Sequence, residues 1–163
     1  MALIELKDLP AQLKRGQRLM GLDLGSKTIG LALCDVMLSV ASPLETIKRT
    51  KFTKDATRLI ELIEHHDVGA LVLGMPFEMD GAEGKRCQST RDFAHNLAKL
   101  RDLPVALWDE RLSTSAVERM LVDDVDMTRK RRGEVIDKLA ATYILQGALD
   151  ALAHQNKTQP NKP

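Results

Sequence analysis

The chain has 163 residues, 44% of them hydrophobic and 29% charged, with 24 Lys and Arg against 23 Asp and Glu and a formal net charge of +1. That length predicts one domain with a real core, and the near-even charge excludes a nucleic-acid binder that relies on chain-wide positive charge. No run approaches the ~18 consecutive apolar residues of a membrane helix, and Met1 to Leu6 lacks the basic leading segment of a secretory signal.

Residues 1–18 read as an N-terminal leader, and residues 19–153 as the domain. Leu19 to Leu24 is a short apolar strand, Gly25-Ser26-Lys27 a turn, and Ile29 to Cys34 a second strand. Strands this close predict an antiparallel hairpin. Leu38 to Ile47 supplies a third strand at an edge, weakened by Pro43. Phe52 to His66 places Ala56, Leu59, Ile60, Leu62 and Ile63 at helical spacing. Val68 to Leu73 is a compact buried strand closed by Gly74-Met75-Pro76. A helix follows over Gly84 to Leu100, then a strand over Val105 to Trp108. Ser115 and Glu118 form a capping box, so another helix starts near Ser113 to Ser115. Gly133 to Ala153 is the last and longest helix, and residues 154–163 are a polar tail of the kind that stays disordered. Three hairpin-linked antiparallel strands plus two parallel ones predict an α/β domain with a mixed five-stranded sheet and helices on both faces. Cys34 and Cys87 make no disulfide framework and fit a reducing cytoplasm.

Packing does not account for the carboxylates at three places in the chain. Asp23 stands in the apolar strand Leu19 to Leu24, where an unpaired buried acid is costly; its ordinary explanation is a turn cap. Asp109 and Glu110 follow the strand Val105 to Leu107, at the end where sites form in parallel sheets; their ordinary explanation is a solvated charged loop. Helical spacing aligns Asp137 with Ala140, Ala141, Ile144 and Ala148, where an inward acid needs a partner. A basic side chain such as Arg129 or Lys27 would satisfy it. Converging at one end of the sheet, the three acids would offer oxygen ligands to hard cations, Mg2+ or Mn2+. That is the chemistry of phosphodiester hydrolysis.

Four segments carry a resemblance. Met20-Gly21-Leu22-Asp23-Leu24-Gly25-Ser26-Lys27-Thr28-Ile29-Gly30, Leu73-Gly74-Met75-Pro76 with Met79-Asp80-Gly81, Trp108-Asp109-Glu110-Arg111-Leu112-Ser113-Thr114, and Asp137-Lys138-Leu139-Ala140-Ala141 resemble, in order, the motifs of the YqgF (RuvX-type) family. The resemblance runs from about Leu19 to Leu152. It implies a ribonuclease H-like fold of the Holliday-junction resolvase type. Family members are described as Holliday-junction resolvases and as nucleases that mature the 5′ end of pre-16S ribosomal RNA. Carried over, Asp23, Glu110 and Asp137 are the expected metal-binding catalytic acids for one or two Mg2+ or Mn2+ ions, with Asp109 the alternative to Glu110.

Lys27, Lys85, Arg86, Arg111 and the run Arg129-Lys130-Arg131-Arg132 are then the candidate phosphate contacts, although a short basic run is often a solvated face or a partner for Asp123, Asp124 and Asp126. Phe77 is the candidate to stack on a base, and Trp108 is expected in the core. The expected partner is nucleic acid, pre-rRNA ahead of a DNA four-way junction, with ribosomal assembly particles a further candidate and no membrane; monomer and homodimer stay open. Two other readings compete. One is an ATP-dependent phosphotransferase, because Asp23 to Thr28 resembles the phosphate hairpin of the actin, Hsp70 and sugar-kinase superfamily; those proteins bind nucleotide between two domains, and 163 residues hold one. The other is a nuclease-like fold that binds nucleic acid without cutting it.

Overall fold

The computed structural model describes residues 3–77, 80–110 and 129–158, with the side chains of 129–138 and 156–158 outside the described set. The strands are β1 (Arg18–Leu24), β2 (Thr28–Cys34), β3 (Ala41–Lys48), β4 (Val68–Met75) and β5 (Val105–Asp109). The helices are α1 (Leu9–Gln12), α2 (Phe52–His65), α3 (Lys85–Leu100) and α4 (Arg129–Thr158). The capping box at Ser115 and Glu118 and the helix expected after it lie outside the described residues.

The five strands form one sheet in the order β3-β2-β1-β4-β5. β1 pairs antiparallel with β2, and β2 with β3. β1 and β4 run parallel, as do β4 and β5. The carboxyl ends of β1, β4 and β5 therefore lie together at one end of the sheet, and Asp23 and Glu110 are at that end.

Period-two alternation sorts the strand residues onto two faces. On one face Met20, Leu22, Leu24, Leu71, Leu73 and Val105 join Ala56, Leu59 and Ile63 of α2 and Phe93, Ala94 and Leu97 of α3. On the other, Leu19, Ala70, Val72 and Ala106 join Ala141, Ile144, Leu145, Ala148 and Leu149 of α4. Helices thus cover both faces, and each fully buried Leu or Ile contributes roughly 1.5–3 kcal/mol. Leu9, ahead of β1, is fully buried in the α4-side cluster, and the Ile4 N–H donates to the Val105 carbonyl at 3.0 Å. The stripe of small residues on α4 has a visible use. A Cβ on Gly21 would stand 2.8 Å from Leu145 Cβ and 2.9 Å from the Ala141 carbonyl oxygen, so α4 lies directly on the backbone of β1.

Where the strand boundaries differ from the expectation they do so by one or two residues, and by three at the start of β3. β3 starts at Ala41 and not at Leu38. The preceding residues are tied into a turn instead: the Asp35 carboxylate accepts the Ser39 N–H at 2.8 Å, the Ser39 hydroxyl at 2.7 Å and the Val40 N–H at 2.9 Å. Leu38 itself has φ 56°, a left-handed conformation incompatible with a strand. β3 is at the sheet edge as expected, and α4 spans Arg129–Thr158, longer at both ends than the apolar pattern. Among the described residues no helix is long and apolar enough to cross a membrane.

Candidate active site at the carboxyl end of the sheet

Alternation explains which acids meet. In β1, Met20, Leu22 and Leu24 face α2 and α3, so Asp23 faces the α4 side. In β5, Val105 and Leu107 face α2 and α3, whereas Ala106 and Trp108 face α4. Continuing that alternation, Asp109 takes the far side and Glu110, just past the strand, returns to the α4 side. The side chains agree. The Glu110 carboxyl lies over Gly74 in β4, where a Cβ would be 2.6 Å from Glu110 Oε1 and from Ile144 Cδ1. Only a residue without a side chain leaves that space, and Gly74 stands there because Glu110 and α4 fill it.

Asp23 and Glu110 share a hydrogen bond. Two carboxylates repel, so this contact needs a proton between them. Burial, the largest cause, together with the Asp23 hydrogen bond and charge, pushes Glu110 from 4.5 up to about 8. Arg86 opposes that rise through its charge, and Asp109 adds to it as a second like charge. The Glu110 Oε1 atom is buried, and the side chain as a whole is half-buried, like Asp23 and Asp109.

The third acid, Asp137, belongs to α4, four residues before the Ala141 carbonyl that lies on Gly21. Its side chain is outside the described residues, as are those of Arg129, Lys130, Arg131 and Arg132, which open α4. Arg111 and the acids Asp123, Asp124 and Asp126 also lie outside them. Among the described residues no three His, Cys, Asp or Glu side chains gather as a metal group.

Of the other expected phosphate contacts, Lys27 is exposed in the β1–β2 turn, and Lys85 and Arg86 are exposed on the first turn of α3. Arg86 lines a cavity of about 150 Å³ with Leu24, Gly25, Ser26, Arg49, Ser89 and Thr90. Arg49 is the residue that the motifs did not single out. Its Nη1 donates to the Gly25 carbonyl at 2.6 Å, and its main-chain N–H to the Lys27 carbonyl at 2.8 Å. Its guanidinium carbon lies 5.8 Å from the Phe93 ring centroid. Trp108 packs half-buried against the α4-side cluster, and Phe77 is half-buried just past β4.

A sheet of this order, with an acid pair where its central strand ends and a long helix crossing that strand, defines a resolvase-type ribonuclease H-like domain. The structure of T. thermophilus RuvC in complex with Holliday junction substrate has the same fold, with a TM-score of 0.55 at 18% identity over 85% of this chain and 96% of that one. The chain belongs to the RuvX family, whose model, described as "Holliday junction resolvase", matches residues 17–151. It is 62% identical over 92% of its length to a protein of Paramagnetospirillum magneticum named "Putative pre-16S rRNA nuclease", covering 96% of that protein. It is 57% identical over 98% of its length to a protein of Rhodospirillum rubrum with the same name, covering 99% of that protein.

Proposed function

We propose that the chain is a divalent-metal-dependent endonuclease that hydrolyses phosphodiester bonds of structured nucleic acid, with the 5′ end of pre-16S rRNA as its substrate. The observation that carries this reading is the shared hydrogen bond of Asp23 and Glu110 at the carboxyl end of the sheet. Two acids held in contact form a site that a cation stabilises in place of the shared proton, and an all-carboxylate donor set suits Mg2+ or Mn2+. Asp137 from α4 completes the set in this reading, and Glu110 is favoured over Asp109 because it is the acid that reaches Asp23.

A bound divalent cation supplies an activated water and charge stabilisation for the leaving oxygen. The chain's own residues do the rest. Asp23 on β1 and Glu110 just past the end of β5 would hold the cation, so their spacing is set by the β1–β4–β5 pairing. Gly74 and Ile144 fix the direction of the Glu110 carboxyl from below. Arg86 sits close enough to lower the Glu110 proton affinity, and its positive charge offsets some of the repulsion that two bare carboxylates would exert on a phosphate.

RNA is preferred as substrate on the strength of the relatives' names; the family description favours a four-way DNA junction as the second reading. Incubating the purified protein with Mg2+ or Mn2+ and either pre-16S rRNA or a four-way junction separates them. Cleavage at the RNA 5′ region with an uncut junction is the expected result. Paired symmetric nicks in the junction with intact RNA would reverse the order, and no cleavage of either would remove the enzymatic reading in favour of a binding factor.

A further inference from the structure

The cavity beside the acid pair is built from three separate elements. Gly25 and Ser26 come from the β1–β2 turn, Arg49 from the segment after β3, and Arg86, Ser89 and Thr90 from the first turns of α3. Leu24 forms its floor with its side chain in the α2–α3 core, so the cavity opens on the α3 side of β1 while Asp23 faces the α4 side. The two sites are therefore on either side of the same strand end.

The polar groups in this cavity are of one chemical kind. Two guanidiniums and two serine hydroxyls line it, and among the described residues none of the seven that line it is acidic. Among the described residues, the salt bridges engage neither Arg49 nor Arg86. Arg49 is also held in place. Its Nη1 is fixed on the Gly25 carbonyl, and its guanidinium lies by Phe93, which is buried and packed edge-on to Phe52 at 5.5 Å. One donor edge is used in anchoring, and a guanidinium carries five N–H donors. A cation ordered in this way binds an anion without first losing side-chain freedom. Thr90 differs from the serines, because its hydroxyl already donates to the Arg86 carbonyl at 2.8 Å; it shapes the wall.

We propose that this cavity is a phosphate subsite, in which Arg49, Arg86, Ser26 and Ser89 seat a backbone phosphate of the nucleic acid next to the one cut at Asp23 and Glu110. The subsite rests on the nuclease reading and extends it, because it states where the strand goes after passing the acids: over the end of β1 and onto the α3 side. Its volume of about 150 Å³ admits one phosphate and its sugar edge but not a stacked base, so the subsite positions the strand without reading sequence.

The test uses Arg49→Gln and Ser89→Asp, each in the full chain. Ser89→Asp leaves the Arg49 anchor on Gly25 intact and places a negative charge in the cavity from an exposed position on α3. Binding of a labelled single-stranded RNA is followed by fluorescence anisotropy against salt, in an Asp23→Asn background so that the probe stays intact, and cleavage is followed in the parent background. Both variants are expected to weaken binding by about tenfold, as for one lost charge-assisted contact. Each should lower the slope of log K against log salt by about 0.7, the contribution of one phosphate on a single strand. KM should rise while kcat changes by less than about twofold, because the cutting groups are untouched. Parent-like affinity and salt slope in both variants, in a protein that binds and cuts, overturns the subsite alone. Weakening by Arg49→Gln but not by Ser89→Asp overturns it too, since the effect would then come from loosening the hairpin. A parent that neither binds nor cuts nucleic acid overturns the nuclease reading and the subsite with it.

Discussion

Replacing Asp23 by Asn removes one charge from the acid pair while keeping its shape, and the consequence for stability follows from the geometry. In the metal-free protein Glu110 rises from 4.5 to about 8, with burial the first cause and Asp23 the second and third. At ~1.4 kcal/mol per pH unit the whole rise corresponds to at most about 5 kcal/mol. Burial survives the substitution, and the pair is only partly shielded from water, so the Asp23 share is about 1–2 kcal/mol. The sign is set by linkage. The folded protein keeps a proton on Glu110 that the unfolded chain releases, so this stabilisation is complete below about pH 4.5 and is lost as pH rises through about 8. Urea unfolding in the presence of a chelator, at intervals between about pH 5 and about pH 8.5, reads it directly. The parent should lose stability with rising pH, and Asp23→Asn should lose about 1–2 kcal/mol less across the same interval. Adding Mg2+ at the alkaline end should recover stability in the parent and much less in the variant. Parallel pH profiles for the two proteins would refute the coupling of Asp23 to Glu110.

Gly74→Ala would put a methyl 2.6 Å from Glu110 Oε1 and Ile144 Cδ1. Displacing both should destabilise the fold by about 1–3 kcal/mol and slow cleavage at least about tenfold by moving Glu110; thermal melts and initial rates check the two effects separately. The turn before β3 carries a different pH signal. Hydrogen bonds from the Val40 N–H, the Ser39 hydroxyl and the Ser39 N–H hold Asp35 down from 3.8 to about 2. Its stabilisation is therefore present above about pH 4 and lost as pH falls toward 2. Asp35→Ala should cost well under about 1 kcal/mol, given its exposure, and should flatten the acid limb of a pH-stability curve without changing cleavage at neutral pH.

Much of this was legible in the sequence because it depended on local pattern. The β1–β2 hairpin is announced by two apolar runs around Gly25-Ser26-Lys27, and α2 by the spacing of Ala56, Leu59 and Ile63. Asp23 is conspicuous because a carboxylate has no place in an apolar strand unless something meets it. The choice between Asp109 and Glu110 was not legible. It turns on which face of β5 lies under α4, a fact of tertiary packing that becomes readable once Ala106 and Trp108 are seen in the α4-side cluster. Arg49 was missed for a related reason. Its neighbours in the sequence are ordinary, and its character comes from Gly25, 24 residues earlier, and from Phe93 on α3. The Asp35 turn displaced the start of β3 because apolar residues such as Leu38 and Val40 read as strand when the side chain that ties their backbone is not considered.

The central claim is that the Asp23–Glu110 pair carries metal-dependent cleavage. The most direct measurement compares purified parent and Asp23→Asn, each with Mg2+ or Mn2+ and with a chelator, on pre-16S rRNA. The account predicts that the parent cuts only with the cation, and that Asp23→Asn binds the RNA and folds as the parent does but does not cut. Equal cleavage by Asp23→Asn, or parent cleavage undiminished by the chelator, would contradict it.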